Sequence, residues 1–501
     1  MKRHYLIHII CFFIGVIAFW GWEKILRFWK ASPELFLPVN TEVCLDSTNL
    51  PIIFISTSHK VDRDSYTQAY MKIISNSKGS LNYCDTLTHP NQTIDYEGSI
   101  QLKYRGHASY LVYNKKSYAI RPMNPNGGGK KRVSLLGMRS DKKWALRAIP
   151  ADKSLIRDAL INELARPYFE FTPQVRHCEV IIDGIYHGVY ILSEQITHRH
   201  LGMAKPDSKK TDKPKGYIFQ TDRPVENRYI SKYHPRTNDG KEITFHNTPF
   251  KFEGVEFDEM TEEQRSFICS KIDKFEEAIA NVDLSDSKKR YDNILDIQSF
   301  IDYQLTTEFA HNADGYLASV FLYTLAKDSP VKLAIWDFDG SFGNASIAWD
   351  GYRTETWQYD ANDMLVKRAV HESSRENKFV PFWWKHLNND PVYRERLQQR
   401  WDFYREHTYR TEHIYQLIDS LTTELTCHGA ESRNSKAWFT WKTSPSSKRF
   451  QTKSYEEEIE SMKTWIALRL CFMDEQLLGT PVNKQYMDSL YSQVGKLVLA
   501  N

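Results

Sequence analysis

The chain has 501 residues, of which 41% are hydrophobic, and it contains 13 Trp, 28 Tyr and 26 Phe. This length and aromatic content provide enough apolar surface for one large or two ordinary folded domains, and they exclude an intrinsically disordered protein. The 66 basic and 63 acidic side chains leave a formal charge of only +3. So small a charge does not indicate a surface for polyanions, and we expect no nucleic acid as a partner.

An apolar run lies near the start of the chain. Residues 5–22 carry no formal charge, follow Lys2 and Arg3, and precede the Trp-containing amphipathic segment 23–30. This length and these flanks are typical of a membrane span with an aromatic interface belt, and no small-residue cleavage site follows. We therefore predict an uncleaved N-terminal anchor in residues 1–30, which contacts the lipid bilayer through residues 5–22 and leaves the rest of the chain extracytoplasmic, either periplasmic or extracellular.

The cysteines fit an extracytoplasmic location only loosely. Cys44 and Cys84 lie in polar or turn-rich stretches, where they can pair in an oxidising compartment. Cys178, Cys269 and Cys471 lie in predicted strands or apolar helices, which favours buried thiols. The sequence contains no Cys-x-x-Cys motif or Cys/His cluster that would indicate zinc.

Strands dominate the part of the chain that follows a linker at 31–48. Runs that alternate polar and apolar residues predict strands, and an Asp-Gly pair between two apolar runs predicts a hairpin turn. The predicted elements of this β-rich half, residues 49–197, are strands at 50–57, 99–106 and 115–122, a helix at 153–166 capped by Asp152, and a hairpin that turns at Asp183-Gly184.

Helices prevail in residues 198–480. A capping box at 261–264 begins one helix, another spans 296–310, and a strand pair follows within 318–337. The remaining expected segments are helices within 380–425 and 454–477, a polar loop at 429–450 and a C-terminal tail at 481–501. This order predicts an α+β protein of two lobes, with a β-rich N-terminal lobe and a mainly helical C-terminal lobe.

Lys116 and Glu163 are a candidate buried ion pair. In its strand Lys116 shares the more apolar face with Tyr118 and Ile120, and helical spacing places Glu163 on the apolar stripe of its helix. Because an unpaired buried charge is costly, the two side chains can satisfy each other. The alternative is that Lys116 extends to solvent and Glu163 lies at the margin of the stripe.

Asp314 and Asp337 flank the strand pair of the second half. Asp314 follows the helix at 296–310, and Asp337 follows the second strand. Since a hairpin brings its outer ends together, both carboxylates are expected at one site, where a divalent cation would relieve their repulsion. Asp314 is alternatively a turn residue that ends the helix.

The stretch IWDFDGSFGN admits two chemistries. An apolar strand followed by Asp-x-Asp-Gly-Ser is also typical of phosphatases in which Asp337 would be the nucleophile and Asp339 the acid and base. Such an enzyme needs further residues on later parallel strands, whereas the chain after Asp339 reads mainly as helix and loop. In the other chemistry Asp337 holds magnesium against the phosphates of a nucleotide, and Asp314 positions the attacking hydroxyl group.

Six stretches in combination resemble the CotH kinase family, the spore-coat-protein-H-like atypical protein kinases. In chain order they are LPIIFIST, KYRGHASYLVYNKKSYAIR, LLGMRSDKKWALRAIPADKSLIRDALINELAR, VIIDGIYHGVYILSEQI, NADGYLASVFLY and IWDFDGSFGN. The resemblance runs from about residue 50 to 345, with looser helical similarity to about 478. It implies a divergent protein-kinase-like fold that binds ATP with Mg²⁺ or Mn²⁺ and phosphorylates Ser or Thr of a secreted or envelope protein.

The resemblance also implies roles for individual residues. Asp314 would be the catalytic aspartate, Asp337 the metal ligand and Asp339 a second metal ligand. Lys116 would hold the phosphates, and Glu163 would orient Lys116.

The segment 193–196, which includes Glu194, would form the hinge beside the adenine ring. Like the roles of Lys116 and Glu163, this assignment rests on order along the chain.

The chain departs from a typical kinase at two places. Ser319 stands where a second metal ligand, Asn, is usual, so metal binding would depend on Asn312 or Asp339. No glycine-rich loop precedes Lys116, which makes Arg105 a candidate for phosphate contacts. Together with the scarcity of ATP outside the cytoplasm, these departures leave an alternative, a catalytically inactive kinase-like scaffold in the cell envelope.

Overall fold

The computed structural model describes residues 37–125, 128–203, 216–222, 228–254, 257–282, 291–326, 328–345, 351–371, 378–442 and 452–481, with 485, 486, 488–490 and 492. The predicted anchor at 1–30 lies outside the described residues. Within them, no helix is both long enough and apolar enough to cross a bilayer.

Seven strands of the N-terminal half close into a barrel. The strands of this half are β1 (Ser47–Thr48), β2 (Ile52–Thr57), β3 (Thr67–Ile74), β4 (Asn82–Tyr83), β5 (Ile94–Arg105), β6 (Ser117–Pro122), β7 (Trp144–Arg147), β8 (Val175–Ile182) and β9 (Ile185–Ser193). Their order around the barrel is β2-β3-β5-β6-β7-β9-β8, and the parallel pair β2–β8 closes it. Alternate apolar residues such as Ile53, Ile55 and Leu102 fill its interior.

The predicted strands at 50–57 and 99–106 and the Asp183-Gly184 turn are confirmed.

Two helices accompany the barrel, α1 (Ala108–Val112) and α2 (Arg157–Ala165). Helix α2 begins four residues later than the predicted start at 153. The reason is that the carboxylate of Asp152 accepts hydrogen bonds from the backbone N–H groups of Ser154 and Arg157, which forms a turn ahead of the helix. Asp152 therefore organises the approach to α2 rather than its first turn.

The C-terminal half combines a sheet with helices. Its strands are β10 (Tyr217–Thr221), β11 (Tyr229–Ile230), β12 (Pro249–Phe252), β13 (Val320–Thr324) and β14 (Lys332–Ala334), and its helices are α3 (Glu262–Ala280), α4 (Ile297–Ala310), α5 (Asn362–His371), α6 (Phe382–Asn389), α7 (Pro391–Glu406), α8 (Thr411–Thr426), α9 (Ala430–Trp438) and α10 (Tyr455–Leu478). The expectation of a single strand pair was wrong, because β13 and β14 belong to a five-stranded antiparallel sheet of order β11-β12-β10-β13-β14. The capping box that begins α3 is confirmed.

Helix α9 occupies part of the segment predicted as a loop. Its buried side carries small or polar residues, Ala430, Asn434 and Ala437, instead of the large apolar residues that mark a helix in a sequence. The helix packs against β9 of the barrel, where the Trp438 indole N–H donates to the backbone oxygen of His187 at 2.7 Å. It therefore ties the C-terminal half to the barrel.

The described cysteines are free thiols. Cys44 and Cys84 do not form the disulfide that their positions in the sequence allowed. Cys178 is buried as predicted, whereas Cys269 and Cys471 are only partly buried.

Candidate active site

A cleft of about 830 Å³ lies between the barrel and the C-terminal sheet. Its walls come from the segment after β5, the end of β7, the residues that follow β9, strands β10 and β12, and the segments on either side of the β13–β14 pair. Asp314, Asp337 and Asp339 all line it. Three acidic side chains from two chain segments therefore meet in one concave site, which is the usual location of an active site.

The β13–β14 pair explains why these carboxylates meet. The two strands are antiparallel, with Phe321 opposite Ala334, so the residues before β13 and after β14 lie at the same end. Asp314 is exposed, whereas Asp337 is about 43% exposed. The expectation that Asp314 and Asp337 lie at one site is confirmed.

Asn312 cross-links the two acidic segments. Its side-chain Nδ2 donates to the backbone oxygen of Asp337 at 3.1 Å, and its Oδ1 accepts from the backbone N–H of Asp314 at 3.3 Å. The amide is thus engaged at both ends, and Asn312 is 2% exposed. This geometry makes Asn312 a residue that positions the loops, in contrast to the metal ligand suggested by the sequence.

Arg147 joins the barrel, α2 and the acidic segment after β14. Its Nη1 lies 2.5 Å from Oδ2 of Asp158, and its Nη2 lies 2.6 Å from Oδ1 of Asp337. The other oxygen of Asp158, Oδ1, accepts from the backbone N–H of Phe338 at 3.0 Å. Because Arg147 and Asp158 are 8% and 1% exposed, this is a buried charge pair whose members satisfy each other.

Sequence reasoning missed Arg147 and Asp158. A signal was nevertheless present, since Arg147 ends a strand and Asp158 lies in the first turn of the helix that follows. A basic residue and an acidic residue so placed can meet when the helix packs across the end of its strand.

Burial and mutual repulsion perturb the two aspartates of the DFDG segment. Burial in the cleft wall raises the pKa of Asp337, and Arg147 opposes this effect. Burial, followed by the charge of Asp337, raises the pKa of Asp339 to about 8. Part of each aspartate side chain faces the cleft, but protein atoms surround most of the side chain. Two neighbouring carboxylates that are largely shielded from water favour a bound cation.

Arg105 contributes a second guanidinium group to the cleft. It lines the cleft, and none of the described residues forms a hydrogen bond or ion pair with it; its Nη1 is buried without a partner. Arg105 and Arg147 both lie near the Trp336 ring, at 5.5 and 5.4 Å from its centroid. Burial and the charge of Arg147 lower the pKa of Arg105 to about 10. Two nearby cations, one of them unpaired, suit an anionic ligand.

The predicted pair of Lys116 and Glu163 is wrong. The Lys116 ammonium donates to the backbone oxygens of Tyr110 and Tyr113, and Glu163 pairs with Arg166 on its own helix. Neither side chain is among the described residues that line the cleft.

The lysine buried at this strand is Lys115. It donates to the backbone oxygen of Val189 at 2.5 Å and to Oδ1 of Asn434 at 2.9 Å. Burial lowers the pKa of Lys115 to about 7. The alternation used to assign faces failed because β6 begins at Ser117, so 115 and 116 precede the regular strand.

The predicted hinge reaches the cleft only in part. Gln195 and Ile196 line the cleft, but Glu194 is not among its described lining residues. The Glu194 carboxylate is buried and accepts hydrogen bonds from the Arg139 side chain and from the backbone N–H of Gln174 at 2.9 Å. Glu194 therefore fixes the segment, while the two residues after it face the cleft.

Two cleft residues that are not glycine have a left-handed backbone. Ser319 has φ +56° and Asp337 has φ +66°. Such a conformation costs on the order of 1–3 kcal/mol, and it persists where the surrounding structure enforces it, often at functional sites. Here the hydrogen bond from Asn312 and the ion pair with Arg147 hold Asp337.

The oxygen donors of the cleft suit a hard divalent cation. Asp339 offers a carboxylate with no hydrogen-bond donor among the described residues, and Asp337 keeps Oδ2 beside the oxygen that Arg147 occupies. Carboxylate oxygens are the ligands that Mg²⁺ and Mn²⁺ prefer. In the part of the chain that the structure describes, no three His, Cys, Asp or Glu side chains form a ready-made metal cluster, so any further ligands would come from water or substrate.

The molecule is thus an α+β protein with a polar cleft between a β-rich half and a mainly helical half. The model of the family described as "CotH kinase protein" matches residues 102–473, which is most of the chain. The chain therefore belongs to the CotH kinase family, as its motifs indicated. No curated protein matches it.

Proposed function

We propose that the protein is an ATP-dependent kinase that transfers the γ-phosphate of ATP to Ser or Thr of an envelope or secreted protein. Membership of the CotH kinase family supports kinase-like activity in general. The observation that carries the proposal is the cleft in which Asp314, Asp337 and Asp339 lie with Arg105 and Arg147. Carboxylates for a metal and cations for phosphates are the groups that phosphoryl transfer requires.

Each residue would have a distinct role. Asp314, exposed in the cleft, would accept the hydrogen bond of the substrate hydroxyl group and orient it for attack. Asp337 and Asp339 would hold Mg²⁺ or Mn²⁺, which supplies charge neutralisation at the phosphates when bound. Arg147 and Asp158 would take the place that the sequence suggested for Lys116 and Glu163, since a cation on a strand paired with a helical carboxylate is the arrangement used in kinases.

The kinase-like fold and the location of the protein belong to the same proposal. The barrel would serve as the N-lobe, residues 49–197, and the remainder to 480 as the C-lobe, with Gln195 and Ile196 beside the adenine ring. Anchoring through residues 5–22 would place the catalytic part on the extracytoplasmic side of the membrane, near envelope substrates.

Two alternatives have specific support. Ser319, in place of a metal-binding Asn, favours an inactive scaffold that binds nucleotide without transferring phosphate. The Asp-x-Asp motif favours a phosphatase, but Oδ1 of Asp337 is held by Arg147 at 2.6 Å, and an ion-paired carboxylate is a weak nucleophile.

The test is phosphate transfer from γ-labelled ATP by the full-length chain, with Mg²⁺ or Mn²⁺, beside Asp314→Asn and Asp337→Asn. We expect labelled protein in the wild type and a loss of at least about 100-fold in each variant, because each removes a group that acts in the transition state. Nucleotide binding without transfer would establish the scaffold instead. Release of phosphate from a phosphoester without ATP would establish the phosphatase.

A further inference from the structure

The acidic residue that would hold the metal is already paired with a cation. Arg147 Nη2 lies 2.6 Å from Oδ1 of Asp337, while its Nη1 lies 2.5 Å from Asp158. Because Asp158 is almost fully buried, removal of Arg147 from this position would leave a carboxylate without its counter-ion. The guanidinium group is therefore a fixed part of the site, and it leaves Asp337 one carboxylate oxygen for a metal ion.

Beside Asp337, ligands for a second metal ion are correspondingly poor, although Asp222 and Glu253 line other parts of the cleft. Ser319 offers only a hydroxyl group where an amide oxygen is usual in kinases. The side-chain amide of Asn312 is engaged with Asp314 and with the backbone oxygen of Asp337. The carboxylate without a donor is that of Asp339, which with Oδ2 of Asp337 suffices for one ion completed by water and phosphate oxygens.

Near the acidic segment, positive charge comes from arginine, while Lys251 and Lys378 line other parts of the same cleft. Arg147 and Arg105 lie near the same Trp336 ring, and Arg105 has no hydrogen-bond or ion-pair partner among the described residues. A guanidinium group can bind phosphate oxygens through two parallel hydrogen bonds. These two groups place fixed positive charge beside the acidic segment, in addition to that of one divalent ion.

We infer that the site binds a nucleoside triphosphate with a single divalent cation, and that Arg147 occupies the position where a second cation would contact Asp337. This inference rests on the proposed function, since it concerns the same cleft and ligand. It assigns Arg147 a role in metal stoichiometry that a merely structural residue would not have.

The test counts Mn²⁺ ions by electron paramagnetic resonance on the full-length chain saturated with the β,γ-imido analogue of ATP. We expect one ion per nucleotide-loaded chain in the wild type and in Ser319→Asn. Ser319→Asn combined with Arg147→Met should bind a second ion, because the new amide oxygen and the freed Oδ1 of Asp337 then complete a second site. Arg147→Lys replaces Arg147→Met if the latter fails to fold, since one ammonium group keeps a charge near Asp158 without bridging both carboxylates.

The outcomes separate this inference from the function on which it rests. Two ions in the wild type would overturn the inference and leave the proposed kinase intact. One ion in all variants would overturn the role given to Arg147. No nucleotide binding with or without Mn²⁺ would overturn both.

Discussion

At the scale of the residue, Arg105 is a cation of the cleft whose Nη1 is buried without a partner. It lies partly buried beside Arg147 and has no ion-pair partner among the described residues. Removing a cation of this kind relieves repulsion and desolvation without leaving a counter-ion unpaired. Residues that lower stability in this way are typical of functional sites.

We therefore expect Arg105→Met to leave the free energy of unfolding unchanged or to raise it by up to about 1 kcal/mol. Urea unfolding of the two proteins measures this. Arg157→Met is the contrasting variant, because Arg157 pairs with buried Asp152 and Glu458 and its loss should cost about 3–5 kcal/mol. A large loss of stability in Arg105→Met would show that Arg105 has a structural partner.

If the chain has the proposed activity, Asn312 would affect catalysis through the loops that it joins. We expect Asn312→Ala to lower kcat by about 10- to 100-fold while KM for ATP changes little, because Asp314 and Asp337 lose their shared support and drift from the productive geometry. Steady-state kinetics separate the two constants, and the thermal unfolding midpoint reports whether the variant is folded. A rise in KM with unchanged kcat would instead assign Asn312 to ground-state nucleotide binding.

At the scale of elements, His177 on β8 and Glu424 on α8 form a titratable contact. His177 Nδ1 lies 3.3 Å from Glu424 Oε2, and its Nε2 lies 2.9 Å from the backbone oxygen of Leu155. Burial alone would lower the pKa of His177, but the hydrogen bond and charge of Glu424, together with the Leu155 backbone oxygen and the charge of Asp152, outweigh burial, so the pKa is raised. Burial likewise opposes ionisation of Glu424, yet His177 lowers the pKa of its carboxyl group.

The signs of these shifts define a pH window. Folding raises the pKa of His177, so protonated His177 stabilises the folded protein. This contribution is complete below the unfolded-state pKa of 6.5 and is lost as the pH rises through the folded-state pKa. Folding lowers the pKa of Glu424, so ionised Glu424 stabilises the folded protein. This contribution is complete above the unfolded-state pKa of 4.5 and is lost as the pH falls through the folded-state pKa. The contact is therefore strongest between pH 4.5 and 6.5.

Glu424→Gln should accordingly lose more stability at pH 5.5 than at pH 9. Because the Glu424 side chain is 44% exposed, we expect the difference to be no more than about 1 kcal/mol. Urea unfolding of wild type and variant at both pH values measures it. An equal loss at the two values would mean that His177 is not charged in the folded protein.

At the scale of the whole molecule, helix α9 and strand β9 connect the two halves. Gly188 has φ +86°, and a Cβ atom there would lie 2.5 Å from Oδ1 of Asn434 and 3.2 Å from the indole nitrogen of Trp438. Gly184, in the β8–β9 turn, has a similar φ of +81°, but a Cβ there would meet nothing within 4 Å. An alanine at either position would therefore be strained by the positive φ, but only at position 188 would its Cβ atom also clash with α9.

Both alanine variants should lose stability, and Gly188→Ala should lose about 1–3 kcal/mol more than Gly184→Ala because of the clash with α9. Chemical unfolding of the matched pair measures the difference. Equal losses would show that α9 does not pack against β9 in solution.

Local patterns predicted much of the architecture. The capping box of α3, the Asp183-Gly184 turn and the β13–β14 pair each depend on residues close in sequence. Helix α9 escaped prediction because its buried residues are small or polar. The start of α2 was placed too early because a turn at Asp152 imitates a cap.

The parts of the site whose geometry follows from the order of the chain could be predicted. The parts whose geometry depends on long-range packing could not. A hairpin necessarily brings Asp314 and Asp337 to one end, and the sequence contains that hairpin. The contact of Arg147 with Asp337 spans 190 residues, and no periodicity encodes it. The choice of Lys116 assumed that regular strand alternation extends beyond the first residue of β6, which is Ser117.

The central claim is that the cleft binds a nucleoside triphosphate through its arginines. Calorimetric titration of the full-length protein with β,γ-imido ATP and Mg²⁺ tests this claim most directly. We expect Arg105→Met to bind at least about tenfold more weakly than wild type, because charge-assisted hydrogen bonds to phosphate are lost. Lys116→Met should bind like wild type, because the Lys116 ammonium donates to the backbone oxygens of Tyr110 and Tyr113 and does not itself line the cleft. Wild-type affinity in Arg105→Met together with lost affinity in Lys116→Met would contradict the claim.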